Sequence, residues 1–181
     1  YDDGRRRHGA SGEGISIPRQ AEVRAAEATE ALSGPPAVKE APAAPTQQVV
    51  TVHLQNIPLL KGVDPAVLER MASSLQFRTV VRGGFVLHKG GSGDHLMFLL
   101  SGRLQAVDVT EDGREIGLSI IVPGDYFGEL SIIDGLPRSA SVVACEASLV
   151  AQLPRAQALE LILNNPLVAD RLLKRMAAKI R

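Results

Sequence analysis

Between residues 82 and 137 the chain is broken by turn signals, "RGG", "GGSGD", "EDG", "PGD" and "DGLP", at intervals of about ten residues. Turns that recur this often leave room only for short strands, which is the signature of an all-β sandwich or barrel. The residues between them alternate with period two. In "FRTVV" the alternating set is Phe77, Thr79 and Val81, and in "EIGLSIIV" it is Ile116, Leu118, Ile120 and Val122, as in half-buried strands. The pattern predicts a mainly β architecture, a barrel or jelly roll of about eight strands flanked by helices.

The flanking helices carry their own signals. "QQVVTVHLQNIPLLKG" reads as a short helix that turns at Pro58, with order beginning near Gln47. "DPAVLERMASSL" supplies Asp64 as an N-cap, Pro65 at the first helical position, and apolar Val67, Leu68, Met71 and Leu75. Beyond the strand region, "RAQALELIL" is one helix. "NPLVADRLLKRMAAKIR" starts another, with Asn165 as N-cap, Pro166 just inside, and an apolar stripe of Val168, Leu172, Met176 and Ile180. Residues 1–46 are different. They are rich in Ala, Pro, Gly and charge, as in "GPPAVKEAPAAP", and hold too little apolar surface to offset the entropy of ordering. A disordered tail over 1–46 and one domain over 47–181 are expected. "RQAEVRAAEATEAL" has helix-forming residues but no apolar stripe, so it is not expected to dock.

Composition removes several function classes. Twenty Lys and Arg balance twenty Asp and Glu, which gives no basic surface for nucleic acid and no polybasic membrane patch. No apolar run approaches the roughly 20 residues of a membrane span, and the N-terminus lacks the apolar core of a secretory signal. A cytoplasmic location is expected. Cys145 is the only cysteine, so a disulfide framework and a cysteine zinc cluster are both excluded within one chain; it reads as a small buried strand residue. The four histidines, His8, His53, His88 and His95, are scattered without metal-ligand spacing. No nucleophile–base pair is visible, so an enzyme is not expected.

The chemistry concentrates in residues 127–144, "FGELSIIDGLPRSASVVA". A glycine-led turn into a helix exposes unpaired backbone N–H groups, which favour an anion; after Gly128 those of Leu130 and Ser131 lie in that position. Arg138 offers a planar fork of donors suited to two oxygens of one phosphate. Glu129 is acceptor-only when ionised, so hydroxyl groups or a cation are its natural partners. A phosphate on Arg138 and a sugar hydroxyl on Glu129 describe one small molecule, a sugar phosphate or nucleotide. The alternative is a structural Glu129–Arg138 ion pair bridging a turn. "GGSGD" lacks the Lys-Ser/Thr of a phosphate loop and reads as a hairpin connection, and "EDG" as a strand turn.

The whole string resembles the phosphate-binding cassette of cyclic-nucleotide-binding domains, as in protein kinase A regulatory subunits, catabolite-activator-type regulators and nucleotide-gated channels. The resemblance runs from about residue 50 to residue 181 and includes "NIPLLKG", the "GGSGDHLMFLLSGRLQAV" hairpin, "VPGDYFGEL" and "NPLVADRLLKRMA". It implies a double-stranded β-helix, that is, a jelly-roll or cupin-like barrel. It implies that Glu129 takes the ribose 2′-hydroxyl, Arg138 the cyclic phosphate, and Leu130 and Ser131 add amide contacts beside Gly128. Ser139 and Ala140 would close the pocket. A hydroxyl at Ser139 is compatible with cAMP and with cGMP; cAMP is favoured, and no other cofactor or metal is implied.

Activator-type relatives continue the last helix into a base-capping lid, a second subunit and a helix-turn-helix domain. Here the chain stops at Arg181, before the expected position of the lid residue and of any DNA-reading module, so the base is expected to be left largely uncapped. The leading expectation is a ligand-sensing regulatory module acting on an effector outside these residues, upstream of Tyr1 if covalent; a homodimer is compatible with it. The alternatives are a truncated transcription regulator of the same family, or a ligand-free or cyclic-di-GMP-binding interaction module.

Overall fold

The computed structural model describes residues 53–181. The tail expected over 1–46 and the start of order expected near Gln47 lie outside the described residues. Residues 53–55 are helical, a 3₁₀ turn spans Pro58–Leu60, and helix α1 spans Pro65–Ser74. Asp64 caps α1 as its sequence predicts, with Oδ1 accepting from the Ala66 N–H at 2.9 Å. Eight strands follow among the described residues: β1 Gln76–Val80, β2 Phe85–Leu87, β3 His95–Ser101, β4 Leu104–Val109, β5 Glu115–Ile121, β6 Tyr126–Phe127, β7 Ser141–Ala144 and β8 Ser148–Pro154. Helix α2, Glu129–Asp134, lies between β6 and β7, and helices α3, Arg155–Asn164, and α4, Pro166–Ile180, follow β8. Asn165 departs from its expected role. Its Nδ2 donates to the Leu161 carbonyl at 2.8 Å, so the side chain satisfies the end of α3 and does not cap α4.

The strands form two four-stranded antiparallel sheets, ordered β1-β8-β3-β6 and β2-β7-β4-β5, in the jelly-roll arrangement expected from the turn spacing. The connections differ in detail from the sequence reading. "GGSGD" joins β2 to β3, and Gly102 lies between β3 and β4; in both cases the two strands sit in different sheets, so neither connection is a hairpin. The "EDG" turn does close a hairpin, β4–β5, with the Thr110 N–H donating to the Arg114 carbonyl at 2.9 Å. Cys145 falls in the turn after β7, half-buried, and not in a strand.

Strand β3, "HLMFLLS", explains the layering. Its apolar run is continuous because both faces are covered. Met97 and Leu99 pack with Val86, Leu104, Phe127 and Val150 between the sheets. Leu96 and Phe98 pack on the opposite side with Leu68, Leu153, Leu161 and Leu172, under the helices. Burial of this kind stabilises by about 25 cal/mol for each square ångström of apolar surface removed from water.

The period-two sets fall on β1 and β5, with Val81 and Val122 just beyond their ends, but on the opposite face to the one expected. Phe77 and Val81 are 42% and 76% exposed, while Val80 between them is buried. Ile116, Leu118 and Ile120 are 52%, 57% and 41% exposed, Val122 is exposed too, and Ile121 is the buried neighbour. Both strands lie at a sheet edge, and one step along a strand exchanges its faces. A bulge opposite Ala106 and Val107 further shifts the β5 register at Leu118.

This assignment is testable by denaturation. Phe98→Ala should destabilise the domain by about 3–5 kcal/mol through the cavity it leaves. Ile116→Ala should stay within about 0.5 kcal/mol, since its side chain is largely in water. A large loss for Ile116→Ala in urea unfolding would show that the outer face of β5 is covered.

Candidate functional site

Helix α2 is placed by a glycine at each end. Gly128 (φ 77°) and Gly135 (φ 71°) both adopt the left-handed conformation, and the Gly135 N–H donates to the Ser131 carbonyl at 3.1 Å. Glu129 is therefore the first helical residue, directly after Phe127 leaves the space between the sheets. The chain then loops out through exposed Leu136 and Pro137 and returns at Arg138. The loop carrying "GGSGD" holds it there: the Arg138 N–H donates to the Gly91 carbonyl at 2.9 Å, and the Gly90 N–H to the Arg138 carbonyl at 2.8 Å. Gly93 lies so close to Ser131 that a Cβ there would overlap its side chain.

Glu129 and Arg138 are both buried, yet they form no ion pair with each other. The Arg138 guanidinium turns to two carbonyls, donating from Nη1 to Gly128 at 2.8 Å and from Nη2 to His95 at 2.7 Å. Its Nε is buried without a partner. Burial pulls the guanidinium pKa down, and the nearby carboxylates of Asp94 and then Glu129 work against that shift. The group stays charged at neutral pH, because its ordinary value lies so far above it. Glu129 instead meets Lys179 of helix α4, whose Nζ lies 3.4 Å from its Oε1.

These groups line a cavity of about 340 Å³, within the range of small-molecule sites. Gly128, Glu129, Leu130 and Ser131 border it from the start of α2, and Arg138, Ser139 and Ala140 from the loop before β7. All seven residues singled out from the sequence are thus brought to one cavity. Ile121, Phe127 and Val142 supply apolar wall from the strands. Among the described residues no cluster of His, Cys, Asp and Glu could hold a metal ion.

The sequence reading missed two lining residues, Arg175 and Lys179 of α4. The terminal helix thus contributes two side chains to the cavity wall. The expected apolar stripe holds through buried Val168 and Leu172, but Ile180 is exposed. In its place a cationic row of Arg171, Arg175 and Lys179 faces the body at four-residue intervals. Nη1 of Arg171 donates to the Leu59 carbonyl at 3.0 Å, and the Arg175 guanidinium lies 4.1 Å from the centre of the Tyr126 ring. Burial raises the Tyr126 phenol pKa, Arg175 opposes that rise, and the phenol oxygen has no hydrogen-bond partner. Helical spacing from Leu172 would have placed this row beside the packed face.

Residues 77–165 match the family model described as the cyclic nucleotide-binding domain. They belong to that family. The chain is 32% identical over 123 residues to a CRP-like cAMP-activated global transcriptional regulator of Mycobacterium tuberculosis, covering 68% of this chain and 55% of that protein. It is 33% identical over 128 residues to the cyclic AMP receptor protein of Thermus thermophilus, covering 71% and 59%. Among solved structures, the regulatory domain of Toxoplasma gondii PKA with cAMP superimposes with a TM-score of 0.65 at 26% identity, over 73% of this chain and 50% of that one. The chain therefore spans less than two thirds of the length of these relatives.

The approach of Arg138 to Gly128 yields a prediction. A Cβ at Gly128 would lie 2.5 Å from Arg138 Nη1, in a backbone conformation that L side chains disfavour by about 1–2 kcal/mol. Gly128→Ala should lower the melting temperature by several degrees, and calorimetric scanning would measure it. An unchanged melting temperature would show that the turn relaxes and that Arg138 is not held as described.

Proposed function

We propose that the cavity binds a cyclic mononucleotide, with cAMP favoured over cGMP, and that the chain is a ligand-sensing regulatory module. In this reading Arg138 takes the cyclic phosphate, together with the backbone N–H groups of Leu130 and Ser131 after Gly128. Glu129 accepts from the ribose 2′-hydroxyl. Ser139 and Ala140 close the cavity from the segment before β7. The observation that carries the reading is the separation of two buried, opposite charges that share one cavity without pairing. A structural ion pair would have joined them. The two curated relatives described above are named for cAMP, which supports that ligand.

A second ligand has an observation of its own. Arg175 carries donors only and borders the cavity. A guanine presents two adjacent acceptors, N7 and O6, whereas adenine pairs an acceptor with a donor. A purine placed against α4 would therefore favour cGMP.

The module in this reading spans residues 47–181, lies in the cytoplasm, and acts on an effector outside these residues. Among the described residues no helix is long and apolar enough to cross a membrane. A two-state response needs only differential affinity; a tenfold preference of the ligand for one arrangement is worth ~1.4 kcal/mol.

Calorimetric titration with cAMP, cGMP and cyclic-di-GMP tests the reading. One of the two mononucleotides should bind. Arg138→Ala should weaken that binding by ~2–5 kcal/mol, roughly thirty- to several-thousandfold. It should also lower the melting temperature, because the guanidinium holds two carbonyls. Glu129→Gln should weaken binding less, since the amide oxygen still accepts, and should leave ligand-free stability nearly unchanged. A chain that binds none of the three, or a folded Arg138→Ala chain with normal affinity, would overturn the proposal.

A further inference from the structure

We infer that Lys179 is a charge-masking residue of this cavity: it neutralises Glu129, so that the carboxylate can accept a sugar hydroxyl without repelling the anionic ligand beside it. The inference rests on the cyclic nucleotide reading and adds a residue from α4 to it.

The carboxylate of Glu129 poses an electrostatic difficulty. Its side chain is only 6% exposed. To accept from a hydroxyl on both oxygens it must be ionised. An ionised carboxylate that holds the sugar of a cyclic nucleotide then sits within a few ångströms of the cyclic phosphate. Like charges repel strongly at that spacing where water is partly excluded. Arg138 does not relieve the conflict by pairing with Glu129, because Nη1 and Nη2 go to the carbonyls of Gly128 and His95.

With Arg138 facing the phosphate, Lys179 supplies the cation that meets the carboxylate itself. Its Nζ lies 3.4 Å from Oε1, and this is the one ion pair of Glu129 among the described residues. The ammonium approaches from α4, while its own side chain is 57% exposed and stays largely hydrated. That asymmetry suits masking: the cation keeps its water and still cancels the buried charge. A carboxylate has about four lone-pair sites, so one long contact leaves room for a hydroxyl donor. The other members of the cationic row are engaged elsewhere, Arg171 with the Leu59 carbonyl and Arg175 over Tyr126. Buried apolar contacts of α4 end at Leu172, so Lys179 contributes little to holding the fold.

The test compares affinity for the bound mononucleotide in wild type, Lys179→Ala, Lys179→Arg, Glu129→Gln and the double variant Glu129→Gln/Lys179→Ala. At low salt, Lys179→Ala should weaken binding by about three- to tenfold, with ligand-free melting temperature unchanged. Lys179→Arg should restore it. The loss should shrink at high salt, where exposed charges are screened. In the Glu129→Gln background, removing Lys179 should have little further effect, because no charge is left to mask. Unchanged or tighter binding by Lys179→Ala would overturn the inference, as would an equal loss in the Glu129→Gln background, which would mean direct contact with the ligand. A wild-type chain that binds no mononucleotide would instead overturn the reading of the cavity itself, and this role with it.

Discussion

The guanidinium of Arg138 ties together three segments that are distant in sequence. Its two terminal nitrogens hold the carbonyls of Gly128 and His95, and its backbone is held by Gly90 and Gly91. A buried charge must be given partners, and here they are the carbonyls just after β6 and at the start of β3, while the loop before β3 fixes the backbone. Helix α2 can begin where it does because Gly128 has no side chain to obstruct that approach. The position of Glu129, one residue later, follows from the same contact. The cavity is thus framed by an arginine whose two terminal nitrogens serve the fold, while its buried Nε has no partner.

That frame rests on a layered body. Strand β3 sends Met97 and Leu99 between the sheets and Leu96 and Phe98 under the helices, so its position is fixed from both sides. His95 opens β3, and Phe127 packs in the inter-sheet core directly before the site begins. Polar groups are tolerated at this end of the barrel because loops with local glycine geometry can aim them into a shared space. Rigid strands below keep that aim from drifting.

Helix α4 changes character along its length. Its buried apolar residues, Val168 and Leu172, lie in the first half together with the contact of Arg171 to a carbonyl; in the second half Arg175 lies over an aromatic ring and Lys179 beside a carboxylate. Apolar burial is insensitive to what occupies a neighbouring cavity, but charge contacts are not.

The amino-acid sequence by itself determined the strand-and-turn architecture, the helix start at Asp64 and Pro65, and the glycine-led segment that carries Glu129 and Arg138. Each depends on local backbone preference or on residue chemistry, which a short window contains. Only the tertiary structure decided which face of an edge strand is buried. Phe77 and Ile116 obey the same alternation as core residues, and what covers a face is a property of other segments. It also decided that Asn165 closes α3, and that β3 and β4 part into different sheets. The partner of Glu129 lay furthest from sequence reasoning. Lys179 is fifty residues away and became its neighbour only because α4 packs back across the barrel, where long-range packing brings together charges that no local pattern links.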